Sequence, residues 1–227
     1  MQPRQIAHSI LLLILSAGLI KFVTIKYINS NGKDDQNYPF LYLTNWTVFL
    51  HILYYSSTTV FSNFKFVTEN LQNLLWRTAY PLGCFVPIIF WTVFNIDREA
   101  IYPASNDEIF SKYDNHVLHT LTAIIYILTI LCSPVPKTKS EERSLLRELK
   151  PSYIFVFIYY NSMCLFYKFT GRWPYGFFAV LWAQPYFLGY FGLAIFAFGG
   201  MGLPIAVAKG YYRVMRGLKG LVLKKNV

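Results

Sequence analysis

Six stretches of the chain stay apolar for close to the length a helix needs to cross a bilayer, about 20 residues each. They cover residues 6–28, 40–62, 78–96, 117–135, 151–169 and 186–208. Hydrocarbon offers no water to satisfy a backbone, so such runs fold as helices that bond internally. The pattern predicts an all-α, polytopic integral membrane protein with six transmembrane helices, one domain over residues 1–227. Charged residues make up 14% of the chain, against about 25% in soluble domains. Arg4, the apolar residues from Ile10 to Leu15 and the small Ser16, Ala17 and Gly18 resemble a cleavable signal peptide. Leu19, Ile20, Phe22, Val23 and Ile25 prolong the run, and a retained signal anchor is the better reading.

A net charge of +10 raises nucleic-acid binding as a function, but the charge follows topology. Six spans put both termini on one side. With that side cytosolic, 14 of the 21 basic residues are cytosolic and 6 lie opposite, with Lys21 inside the first span. Positive residues favour cytoplasmic loops, which fixes both termini in the cytosol. Asp34, Asp35, Asp97, Glu99, Asp107, Glu108 and Asp114 all fall on the far side. The excess charge therefore serves orientation and contact with anionic headgroups, and no nucleic-acid partner is expected. The terminal Lys224-Lys225-Asn226-Val227 fits a dilysine signal, read by a retrieval coat, and predicts the endoplasmic reticulum membrane. The plainer alternative is a basic tail resting on lipid. Cys84, Cys132 and Cys164 sit in apolar runs without paired spacing, as small buried hydrophobes do. The sequon at Asn45 lies within an apolar run and is expected to be unused.

Polar side chains inside the spans mark faces turned toward the bundle. Thr44, Thr47 and His51 are spaced three and four apart and share one face of the second span. Asn115, His119, Thr122 and Tyr126 do the same at the head of the fourth. Both spans enter from the far side, so Thr44 and His119 reach similar depths and contact between them is geometrically feasible. A threonine hydroxyl keeps its proton at neutral pH; a histidine in reach accepts it during attack and returns it to the leaving group. The alternative is structural, with hydroxyl and imidazole merely tying two helices together. Thr47, one turn deeper, is a rival nucleophile. His116 and His119 have metal-ligand spacing, but no acidic third ligand follows and no metal site is expected. His8 reads as an interfacial or packing residue, and His51 as lining a polar pocket or bridging helices. Asp97, Arg98 and Glu99 form either a salt-bridged rim or solvated charge. Trp46, Trp91, Trp173, Tyr175 and Trp182 suit an interfacial belt or an acyl-chain pocket. Residues 141–150 read as a short amphipathic helix at the headgroups.

The pattern W…DRE-x-IYP over residues 91–103, followed by NH-x-x-HT over 115–120, resembles the androgen-induced and androgen-dependent TFPI-regulating membrane proteins. Phe40-Leu41-Tyr42-Leu43-Thr44 and Thr170-Gly171-x-Trp173-x-Tyr175 support the likeness in the same order. The resemblance implies a six-helix intramembrane hydrolase with a threonine nucleophile and a histidine base. The implied substrates are fatty acid esters of hydroxy fatty acids. By the motif matches the nucleophile is Thr44 and the base His119. The polar Asn45-Trp46-Thr47 after Thr44 and the loop residues Ser105-Asn106-Asp107-Glu108 depart from the pattern. No cofactor is required; the partners are a lipid ester and membrane lipids. Asn45 and Asn115 are candidate oxyanion donors, and His51 a candidate pocket residue. Two other classes remain open: a non-catalytic membrane protein that binds lipid or regulates a partner, and a small transporter with His51, His116 and His119 along its path.

Overall fold

The computed structural model describes residues 3–29, 41–64, 68–108, 111–132, 144–183 and 186–225. Every regular element among them is helical: α1 Pro3–Asn29, α2 Leu43–Thr58, α3 Glu69–Ile96, α4 Arg98–Ile101, α5 Lys112–His119, α6 Leu121–Cys132, α7 Leu145–Thr170, α8 Gly176–Ala183 and α9 Tyr186–Lys225. A 3-10 turn at Ala104–Glu108 joins α4 to the approach of α5. The centre is α3, which packs against α2, α4, α5, α6, α7 and α9. Ala79, Leu82 and Phe85 of α3 pack with Leu149 and Val156 of α7 and Met201 and Ile205 of α9. On its other side, Val48, Tyr54 and Tyr55 of α2 pack with Leu15 of α1 and Leu118 and Ile125.

Caps, rather than hydropathy, set where these helices begin. The third begins at Glu69, nine residues ahead of the apolar run, because the Thr68 hydroxyl accepts the Leu71 amide at 3.2 Å. The fourth begins at Lys112, where Ser111 and Asp114 form a reciprocal capping box. It is two helices instead of one, interrupted at Thr120, whose backbone (φ −114°) leaves ideal α geometry. The segment read as a separate amphipathic helix is the first turns of α7, capped by Ser144, and its Leu149 is fully buried. The second helix has 16 residues, about 24 Å. At its end the hydroxyls of Ser57, Thr58 and Thr59 all bond back to carbonyls of the preceding turn.

Among the described residues α3 is long and apolar enough to cross a membrane, and Ile6–Lys21 is a shorter apolar helix. The side chains of Tyr126, Cys132, Lys224 and Lys225, and residues 226–227, lie outside the described set.

Candidate active site

Thr44 stands in the first turn of α2, just after Tyr42 turns the chain from extended (φ −99°, ψ 123°) to helical. No local side chain caps this helix. The missing partner comes from far along the chain: the Leu43 amide donates to the Tyr175 hydroxyl oxygen at 3.1 Å. The preceding segment is held by Tyr159, whose hydroxyl donates to the Leu41 carbonyl at 2.6 Å. The Tyr42 ring meets Tyr175 edge-on, with centroids 5.4 Å apart. Gly171, with φ +70°, ends α7 in a left-handed turn that L side chains rarely adopt. That turn lets Trp173 stack back on Tyr167 and leads Tyr175 to the head of α2.

His119 is the last residue of α5. Its Nδ1 lies 3.1 Å from the Asn115 carbonyl oxygen, which can only accept, so Nδ1 carries the proton. Nε2 is then the bare nitrogen, and the Thr44 hydroxyl donates to it across 3.1 Å. The imidazole lies flat on Phe90, 3.6 Å between centroids and 17° between planes. Thr44 and His119 are buried, 7% and 9% exposed. The two residues brought together by matched depth are therefore in direct hydrogen-bond contact, in the tautomer a general base needs.

Thr47 has a different environment. It is 1% exposed and its hydroxyl donates to the Leu43 carbonyl at 2.9 Å. His51 lines neither cavity described below. Its Nδ1 donates to the Thr47 carbonyl at 2.8 Å and its ring lies against Gly83 of α3. The i−4 carbonyl turns the ring toward the neighbouring helix. His116 also points elsewhere, its ring on Trp91 and its Nδ1 3.1 Å from the Thr120 hydroxyl. Asn45 and Asn115 do line a cavity, at 3% and 8% exposed, and the Asn115 side-chain oxygen has no partner there.

Two cavities meet at Thr44, Phe90, Ile101 and Tyr175, each enclosing about 520 Å³ including its mouth. One is almost wholly apolar, walled by Phe85, Val86, Ile89, Val156, Phe177 and Phe178 besides the shared residues. The other is more polar, with Tyr42, Asn45, Tyr102, Asn106, Asn115 and His119. At its rim Arg98 pairs with Asp107 at 2.5 Å and lies over the Tyr102 ring. Glu99 accepts the Ala104 amide at 3.0 Å. Burial, then the Asp107 charge, pushes the Tyr102 phenol up to about 12, so it stays protonated at neutral pH.

The model of the FAR-17a/AIG1-like protein family matches residues 5–205. The chain belongs to that family. Among its relatives, the androgen-dependent TFPI-regulating proteins of Mesocricetus auratus and Homo sapiens are each 27% identical to it over 172 residues, 68% of this chain and 72% of theirs. The androgen-induced gene 1 protein of Homo sapiens is 31% identical over 99 residues, 44% of this chain and 40% of its own. No solved structure matches the chain. Family and apolar α3 together mark this member as a membrane protein.

The sequence pointed to Thr44 and His119 but not to the groups that hold them. Phe90 reads as one more apolar residue of its span. Tyr159 carries no local signal. Tyr175 had one, its place in the Thr170-Gly171-x-Trp173-x-Tyr175 motif, but no spacing rule connects it to Leu43, 132 residues away.

Proposed function

We propose that this member of the family is an intramembrane lipid hydrolase that cleaves the ester of fatty acid esters of hydroxy fatty acids. The observation that carries this reading is the Thr44–His119 contact, with Nδ1 of the imidazole held by the Asn115 carbonyl. Thr44 Oγ1 attacks the ester carbonyl carbon as its proton passes to Nε2 of His119. The intermediate collapses, the ester C–O bond breaks, and the departing alkoxide takes that proton to leave as the hydroxy fatty acid. Water then attacks the acyl-threonine, giving its proton to His119, which returns it to Thr44 as the second fatty acid leaves. Phe90 keeps the imidazole from rotating between these steps. The apolar cavity suits one hydrocarbon arm. The more polar one suits the arm that ends in a carboxylate.

The setting we propose is a six-span, single-domain bundle in the endoplasmic reticulum membrane with both termini cytosolic. The charge distribution and Lys224-Lys225 support it, as do the outer faces of the bundle. Leu13, Ile20, Phe157, Ile158, Leu203 and Val207 of α1, α7 and α9 are all more than half exposed. Large apolar side chains left outward on three helices suit a surface that lipid covers.

The test compares wild type with Thr44→Ala, Thr47→Ala and His119→Ala in detergent. It follows fatty acid release from a branched fatty acid ester and labelling by a fluorophosphonate. We expect both signals to vanish in Thr44→Ala and His119→Ala and to persist in Thr47→Ala. If well-folded wild type neither hydrolyses nor labels across several lipid esters, the chain binds lipid or regulates a partner, and the pair only ties α2 to α5.

A further inference from the structure

Ester cleavage places negative charge on the carbonyl oxygen, and a preorganised donor there supplies a large part of such catalysis. We propose that Tyr175 is that donor, its phenol O–H holding the carbonyl oxygen while Thr44 attacks; the assignment rests on the hydrolase reading above. Three observations carry it.

The first is position. Tyr175 lines both cavities where they meet at Thr44, and its hydroxyl holds the amide of Leu43, the residue next to Thr44. A carbonyl carbon within reach of Thr44 Oγ1 brings its oxygen close to this phenol. The second is proton inventory. The Tyr175 oxygen accepts the Leu43 amide, so that bond leaves its own proton uncommitted. Tyr159, the neighbouring phenol, has spent its own proton on the Leu41 carbonyl. The Tyr175 proton is therefore available to an acceptor that enters the cavity. The third is polarisation. A phenol that accepts an amide is a stronger donor. This amide belongs to the first turn of α2, whose aligned dipoles favour negative charge nearby. Asn115 fits the role less well, because the unpartnered atom it places in the cavity is an acceptor, and an oxyanion needs a donor.

The experiment measures kcat and KM of wild type and Tyr175→Phe on a branched fatty acid ester and on its thionoester. In the thionoester, sulfur replaces the carbonyl oxygen and accepts hydrogen bonds poorly. Loss of one oxyanion donor lowers kcat by about 10²–10³. We expect a fall of that size in Tyr175→Phe with KM within a few-fold, and fluorophosphonate labelling slowed in parallel. Wild type should favour ester over thionoester far beyond the preference shown by hydroxide, and Tyr175→Phe should lose most of that preference. A purely structural tyrosine would lower both substrates equally. Equal loss on the two substrates, or an unchanged kcat, overturns the assignment while leaving the hydrolase intact. No turnover of either substrate by folded wild type removes the hydrolase reading, and the assignment with it. If Tyr175→Phe does not fold, wild-type discrimination decides: a strong preference for the ester supports the donor, and none overturns it.

Discussion

Four threonines among the described residues give their hydroxyl to the carbonyl four residues back. Thr47, Thr59, Thr78 and Thr170 all do so, at 2.7–2.9 Å. Thr44 cannot follow them, because it stands in the first turn of α2, where the position four back precedes the helix. Its hydroxyl is therefore free to face His119. One helical turn thus separates a hydroxyl available for attack from one already committed, at Thr47. The consequence is testable at this position. Thr44→Ser keeps the hydroxyl but frees its χ1, and should retain turnover within about tenfold, roughly 1.4 kcal/mol of barrier. Thr44→Val keeps the shape and removes the hydroxyl, and should abolish turnover and fluorophosphonate labelling. It also strips His119 Nε2 of its partner, at a cost of about 1–3 kcal/mol in stability. Activity in Thr44→Val above background would exclude Thr44 as nucleophile.

The elements hold this geometry by close approach. At Gly83 a Cβ would lie 2.9 Å from Cε1 and 3.0 Å from Nε2 of His51, a ring that cannot swing aside without losing its bond to the Thr47 carbonyl. Gly83→Ala should therefore force α2 and α3 apart and destabilise by about 1–3 kcal/mol, read as a lowered melting midpoint. Because α2 carries Thr44 and α3 carries Phe90 beneath His119, kcat should fall with it. A stable, fully active Gly83→Ala would show that the helices repack around the methyl. This contact is also a measure of what the sequence could tell. The apolar runs located the helices, and three-and-four spacing found the face bearing Thr44, Thr47 and His51. Spacing along one helix says nothing of which residue of another lies opposite, so Gly83, Phe90 and Tyr175 were illegible as partners. Hydropathy also missed the starts of α3, α5 and α7. Thr68, Ser111 and Ser144 fix them by hydrogen bonds, which hydropathy does not register.

At the scale of the whole molecule, the end of the bundle that holds the site is tied across its first and fifth helices by one ion pair. Lys21 reaches Asp114 at 2.6 Å, so a cation within an apolar helix is met by the carboxylate that also caps α5. Burial acts to raise the Asp114 carboxyl, but the hydrogen bonds from Lys21 and Ser111 and the Lys21 charge outweigh it and hold the group below its ordinary value. A carboxyl depressed in the folded state stabilises the fold above its unfolded pKa, about 3.9. That contribution disappears as pH falls through the folded value. Lys21 is half exposed, so solvent screens the pair and its worth at neutral pH is at most about 1 kcal/mol. In a chain of this size that is a shift of about 2–4 °C. Wild type should therefore melt a few degrees above Asp114→Asn at pH 6–7, and the two curves should converge as pH falls through the depressed folded value of the carboxyl, beneath its unfolded one. High salt should narrow the gap at neutral pH, since exposed pairs are screened. A gap that persisted unchanged in acid would assign the role of Asp114 to its capping geometry instead of its charge.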